Sequence, residues 1–233
     1  MNLANKKIVI TGGADGLGLA LSRALVAQGA QVCILSRDQQ KIDTAIKELG
    51  EKAQGFAVDV SQWQTLSEVA NTIGSVDVLI NNAGVWIEGL LLDHDVVAIE
   101  RAIDSNLKGV IFATKAFLPT LSKASESHII NISSTSGLKG RNGQAVYAAT
   151  KFGVQGFTES LKLDLEKTNI KVTGFYPGGM NTQLFAKAGT PKDNQDWMDT
   201  AKVAEILVFM LERDLSMVMD HVVLNKRQTK TSN

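Results

Sequence analysis

The sequence predicts an α/β protein: an open, doubly wound parallel sheet of about seven strands with helices on both faces. It is read as one domain over residues 1–233. Three observations carry this. Short β-branched apolar runs alternate with helix-length segments along the whole chain, the pattern of right-handed crossover units. The first run, Lys7-Ile8-Val9-Ile10-Thr11, passes through a glycine-rich turn directly into helical spacing. Six chemistry-bearing runs each follow a predicted strand, so they gather at the carboxyl edge of the sheet, where such sheets bind ligands.

Composition narrows the function classes. The chain has 233 residues, enough to bury a large core. Lys+Arg and Asp+Glu balance at 24 each, so no net field invites nucleic acid or an anionic membrane. The basic tail, Lys226, Arg227 and Lys230, reads as a solvated end. Cys33 is the only cysteine, so no internal disulfide forms, and its apolar setting Val32-Cys33-Ile34-Leu35 predicts a buried, inert thiol. His94, His128 and His221 are scattered without paired-ligand spacing, and no metal site is expected. No apolar run approaches the roughly 20 residues of a membrane span. Residues Met1 to Lys7 lead straight into a strand without an apolar leader; the expectation is a reducing, cytoplasmic setting.

The elements follow in order. After the first strand, helical spacing runs from Leu17 to about Gly29. Gln31 to Leu35 is a strand ending in Ser36-Arg37-Asp38, and Asp38 to Leu49 is helical. Ala53 to Val58 is a strand ending at Asp59-Val60. Ser61, with Gln64, reads as the cap of a helix to Ile73. Val76 to Ile80 is a strand running into Asn81-Asn82-Ala83-Gly84. Two helices follow, 93–107 and 109–121, then a strand over 127–133 and a loop from Ser134. A long helix spans 145–167, and a strand over 170–176 closes with Pro177-Gly178-Gly179. The polar stretch 181–198, with Gly189 and Pro191, reads as a mobile flap. A helix over 200–213 and a strand over 217–224 complete the sheet.

Two stretches carry specific chemistry. Gly12-Gly13-Ala14-Asp15-Gly16-Leu17-Gly18 lies between strand and helix, the context of a phosphate-binding loop. Glycines let backbone approach a diphosphate, and the helix end offers N–H groups and a positive dipole. The spacing departs from G-x-G-x-x-G, and Asp15 adds no phosphate affinity. At the second strand end, Ser36 and Arg37 suit a 2′-phosphate better than a bare ribose diol. NADP(H) is therefore favoured, with NAD(H) the alternative. Tyr147 and Lys151 share a helix face; a close ammonium favours phenolate, so Lys151 is expected to lower the Tyr147 pKa and make a proton donor and acceptor.

With Thr11-Gly12-x-x-x-Gly16-x-Gly18, Asn81-Asn82-Ala83-Gly84, Asn106, Ser134, Tyr147-x-x-x-Lys151 and Pro177-Gly178, the chain resembles the short-chain dehydrogenase/reductase family in its shorter, single-domain form. The likeness runs from about Lys6 to Leu224. It implies a Rossmann-like sheet and an oxidoreductase acting on a carbonyl or secondary alcohol. It implies Tyr147 as acid and base, with Lys151 also bonding the nicotinamide ribose. Ser134 would orient the carbonyl, and Asn106 would hold a relay water. Asp59 and Val60 would meet the adenine. Asn82, Ala83 and Gly84 would line the ribose region, and Pro177, Gly178, Met180 and Thr182 would hold the nicotinamide end. It also implies a homodimer or homotetramer through the helices around 109–121 and 145–167. The C-terminus, without the glycine-rich ending of many relatives, departs from the pattern.

Trp86, Leu138, Tyr176, Met180, Leu184, Phe185 and Trp197 flank this site and suggest an apolar or aromatic substrate part. Arg141 and Gln144 are placed to read a polar group. Two other functions fit the same fold: an NAD-linked alcohol dehydrogenase, and a non-catalytic NAD(P)-sensing regulator.

Overall fold

The computed structural model describes residues 1–213 and 217–227; Lys230 of the basic tail lies outside them. Seven parallel strands form one sheet: β1 (Lys7–Thr11), β2 (Gln31–Ser36), β3 (Ala53–Ala57), β4 (Val78–Asn81), β5 (Ser127–Ile132), β6 (Ile170–Pro177) and β7 (His221–Leu224), in the order β3-β2-β1-β4-β5-β6-β7. The order reverses direction between β1 and β4, and their carboxyl ends are level, with Thr11 beside Asn81. That pairing puts the loops after β1 and β4 side by side at the switch point.

Strand side chains alternate between two cores, as a pleated sheet covered on both faces requires. Ile8, Ile10, Val32, Ile34, Val78 and Ile80 face α1 (Gly16–Ala27), α2 (Gln39–Leu49) and the late helix α8 (Thr200–Glu212). Val9, Cys33, Leu35, Leu79 and Ile129 face α3 (Trp63–Ile73), α5 (Gly109–Leu121) and α6 (Ala145–Leu165). Each fully buried Ile or Leu contributes roughly 1.5–3 kcal/mol. Cys33 is buried as expected, and burial pushes its thiol up to about 11.

Three local expectations change. The break at Lys108 is absent: α4 (Val96–Ile103) continues through one π turn, Asp104–Lys108, into α5. Residues Leu91–Asp93 form a separate 3₁₀ turn, and Asp95 caps α4. Ser61 is not a cap; Gln62 precedes α3, and the Asp59 carboxylate accepts the Ser61 N–H at 2.9 Å. A short aspartate closes its own turn two residues on, before the helix starts. Segment 181–198 is not featureless: it contains α7 (Leu184–Lys187), and Met180 bridges Met198. Among the described residues no helix is long and apolar enough to cross a membrane.

Candidate active site

The carboxyl ends of the strands open into one cleft of about 1650 Å³. Its first wall is the loop after β1. Gly12 and Gly16 have φ of 67° and 51°, conformations that cost a side-chain-bearing residue energy. A methyl group at Gly18 would collide with the Gly12 carbonyl oxygen and come within 2.7 Å of Asn82 Nδ2. Gly18 therefore lets α1 dock against its own loop and against the β4 loop. Thr11 Oγ1 accepts the Asn82 and Ala83 N–H groups, each at 3.0 Å, and Asn82 Nδ2 donates to Thr11 O and Gly12 O at 3.0 and 3.2 Å. These bonds hold the two loops at a fixed separation.

At the β2 end, Ser36 and Arg37 line the cleft. Arg37 Nη1 stands 3.8 Å from Asp59 Oδ2, so Arg37 has a carboxylate neighbour. Asp38 caps α2 by accepting the Lys41 N–H at 3.2 Å. Asp15 caps α1, accepting from Gly16 N at 2.7 Å. Its other oxygen accepts from Lys41 Nζ at 2.8 Å and from Lys187 Nζ.

Deeper in the cleft, α6 brings Tyr147 and Lys151 to the 3₁₀ turn Thr135–Gly137 after β5. The contact is close: a side chain at Gly137 would lie 2.6 Å from both Lys151 O and Ser133 Oγ, and Ser133 Oγ donates to Lys151 O at 3.0 Å. This docking sets Ser134 beside Tyr147, close enough to offset part of the effect of burial on the phenol. Ser134 Oγ also accepts the Ser136 N–H at 3.1 Å, which fixes its rotamer. Lys151 Nζ donates to Ile132 O at 3.1 Å and lies 5.8 Å from the Tyr147 ring centre. Burial pushes the Tyr147 phenol up to about 12, eased by Ser134. Burial also pulls the Lys151 ammonium down to about 8. The expected lowering of the phenol by Lys151 is not found: desolvation governs the shifts of both groups.

Asn106 occupies the π turn, within a continuous helix and not at a helix end. Its Oδ1 accepts from Val85 N at 2.7 Å; its Nδ2 donates to Val85 O at 2.9 Å and to Thr150 Oγ1 at 3.2 Å. The side chain is thus spent bracing the β4 loop against α6. π turns recur at functional positions because they aim a side chain out of helical register.

The outer wall is aromatic. The Trp86 ring centre lies 4.4 Å from that of Tyr147 and 4.8 Å from that of Phe185, and Phe185 is 5.1 Å from Trp197. Lys192 pairs with Glu88 at 2.8 Å and lies 5.4 Å from the Trp86 and Phe185 ring centres. Met180 and Leu184 also line the cleft. Leu138 and Tyr176 do not: Tyr176 is fully buried, packed over Gly174 and beside His221. As a strand residue it points into the sheet's flank and away from the mouth.

Gly12, Asp15, Gly16, Leu17, Ser36, Arg37, Asp59, Val60, Asn82, Ala83, Gly84, Ser134, Tyr147, Lys151, Pro177, Gly178, Met180 and Thr182 all line this one cleft. Gly18 and Asn106 stand behind its wall as packing and bracing residues. Arg141 and Gln144 line it too, Gln144 accepting from Ser136 Oγ at 2.8 Å. Lys41, Glu88, Lys187 and Lys192 are additions. Lys41 follows Arg37 by four residues, in the first turn of α2, and was within reach of a sequence argument; the other three meet partners distant in sequence. Lys226 and Arg227 are exposed, in keeping with a solvated end, and also line the cleft. The reason is that Gly178 N–H bonds Leu224 O at 2.8 Å, which steers the tail toward the site. Of the histidines, His128 is buried and bonded to Thr173 Oγ1 at 2.9 Å. Among the described residues no group of three metal-binding side chains occurs.

The glycine loop and the Ser134, Tyr147 and Lys151 side chains, gathered in one cleft at the carboxyl edge of a doubly wound α/β sheet, define the class of this protein. A family model described as short chain dehydrogenase matches residues 6–193, and the chain belongs to the short-chain dehydrogenase/reductase family of oxidoreductases. It is 32% identical over 214 residues to an uncharacterized oxidoreductase of Staphylococcus aureus strain MW2, covering 90% of this chain and 92% of the relative. Among solved structures it is similar to a closed form of serine dehydrogenase complexed with NADP+ (TM-score 0.89, 26% identity, 97% of this chain and 98% of the other). It shares its fold with a Burkholderia phymatum short chain dehydrogenase/reductase in complex with NAD (TM-score 0.86, 21% identity, 96% and 90%).

Proposed function

We propose that this protein interconverts a carbonyl and a secondary alcohol using NADP(H), with Tyr147 as the acid and base. The observation that carries the reading is Tyr147, Ser134 and Lys151 converging in the cleft that also holds the glycine loop. The residues fit a dinucleotide: the positive-φ glycines and the start of α1 leave backbone room for a diphosphate. Arg37 and Ser36 would take the 2′-phosphate, and Asp59 and Val60 the adenine. Asn82, Ala83 and Gly84 would line the ribose region, where Lys151 would bond the sugar. Pro177, Gly178, Met180 and Thr182 would hold the nicotinamide end. The cofactor supplies or accepts the hydride; the protein supplies position and electrostatics.

The residue chemistry then follows. With its phenol held up to about 12, Tyr147 is protonated at neutral pH and ready to donate to a carbonyl oxygen. Ser134, fixed by the Ser136 N–H, would orient that oxygen and stabilise developing charge. Lys151 is mostly charged at neutral pH and stabilises the phenolate left after donation. Asn106 holds the β4 loop against α6 and so sets the distance between Lys151 and the loop it serves. Trp86, Phe185 and Trp197 favour a substrate with an apolar or aromatic part. Association as a dimer or tetramer is supported by the exposed apolar residues Phe152 and Leu163 of α6, at 42% and 75%. A reducing, cytoplasmic setting suits the buried thiol of Cys33.

The test is Tyr147→Phe with a carbonyl panel and NADPH. Turnover should fall by at least ~10²-fold with NADPH still bound; retained turnover would mean the proton comes from elsewhere. Arg37→Asp should cost chiefly NADPH affinity, and an unchanged NADPH/NADH ratio removes the basis for NADP preference. A second reading, NAD-linked oxidation, is favoured by one observation: Arg37 already faces Asp59 at 3.8 Å. Retention of Ser134, Tyr147 and Lys151 argues against the regulator.

A further inference from the structure

Asp15 is an unexpected residue in a loop that must approach phosphate. Its carboxylate accepts from Gly16 N at 2.7 Å and occupies the helix end that favours anions. Alone it would repel a diphosphate. Lys41 Nζ, from the first turn of α2, reaches Asp15 Oδ2 at 2.8 Å. Lys187 Nζ, from α7 in segment 181–198, donates to the same oxygen. Two ammoniums face Asp15, and with Asp38 close to Lys41 the two carboxylates and two ammoniums of the cluster balance. All three side chains line the cleft beside Gly16, Ser36 and Arg37. Asp38 is the remaining acid near Lys41, at 3.9 Å.

Resting on the dinucleotide reading above, we infer that Lys41 and Lys187 supply the phosphate affinity that Asp15 removes. Lys41 holds the adenosine 2′-phosphate together with Arg37, and Lys187 holds the diphosphate from the flap. The side chains of Lys41 and Lys187 are 39% and 49% exposed. A lysine is a point charge on a flexible four-carbon stem, so each ammonium reaches a neighbouring phosphate by rotamer change. Asp15 meanwhile orients both toward the cleft. A ligand with few phosphate charges does not compete well with the carboxylate, so the arrangement selects the fully charged dinucleotide. Because Lys187 sits on the flap, phosphate binding also ties the flap to the cofactor half of the cleft.

The experiment titrates NADPH, NADH and 2′,5′-ADP against wild type, Lys187→Met, Lys41→Met and Asp15→Asn, read by calorimetry or nucleotide fluorescence. Lys187→Met should weaken NADPH and NADH alike, by about 10-fold, the loss of one charge-assisted hydrogen bond. Lys41→Met should weaken NADPH and 2′,5′-ADP by about 10-fold and leave NADH within about twofold. Asp15→Asn should tighten NADPH. Lysine variants that bind NADPH as wild type does overturn the inference, and so does weaker binding by Asp15→Asn, which would make the carboxylate itself a ligand for the ribose. Wild type that binds neither nucleotide defeats the dinucleotide reading and takes the inference with it.

Discussion

His128 lies on β5, the strand that leads to Ser134, and its ring makes one hydrogen bond, to Thr173 Oγ1 at 2.9 Å. Burial, with Lys171 and the N-terminal ammonium nearby, pulls its pKa from 6.5 to about 3. The folded protein therefore keeps this histidine neutral where the unfolded chain protonates it. Between pH 6.5 and 3 the unfolded state binds more protons, so stability falls as pH drops through that window. At pH 5 an unfolded histidine at 6.5 is almost fully charged and the folded one is neutral, which costs about 2 kcal/mol relative to pH 7.5. That figure barely changes for any folded pKa below about 4, so it tests the burial argument and not the exact shift. His128→Gln retains a neutral partner for Thr173 and cannot titrate. Urea denaturation at pH 7.5 and pH 5.0 should show wild type losing about 2 kcal/mol more than the variant, the carboxylates being common to both. Equal losses would refute the claim that His128 stays neutral in the fold.

Other outcomes follow from the same structure. Gly18→Ala should abolish nucleotide binding with a lowered Tm, because the added methyl meets the Gly12 carbonyl; normal NADPH titration would contradict the loop packing. Reductive kcat should decline with a midpoint near pH 8 as Lys151 loses its proton, and Lys151→Arg should remove that limb from the pH–rate profile. Phe117, fully buried between α5 and its neighbours, should cost about 3–5 kcal/mol when changed to alanine, measured by urea titration. Asn106→Ala should lower kcat far more than nucleotide affinity, since it frees the β4 loop without touching the phosphate side; a binding defect alone would count against the bracing role.

Much of this protein is legible in its sequence. Strand and helix alternation dictated the sheet and its two covered faces, since buried parallel strands must be apolar on both sides. The motifs after each strand named the cleft, because topology alone delivers every strand end to one edge. Period and turn chemistry are local, and local signals survive without tertiary context. What only the tertiary structure decided involves competition between distant groups. The Ser61 cap failed because the Asp59 carboxylate reached that turn first. The helix break at Lys108 vanished because a π turn absorbs the change in register while Asn106 bonds Val85. The Tyr147 phenol is raised where spacing predicted it lowered, because burial, a property of the assembled fold, sets its shift. Tyr176 left the pocket for the interior, and Lys187 came to Asp15 across 172 positions of chain. No residue pattern encodes such a meeting; it exists only once the flap lies over the glycine loop.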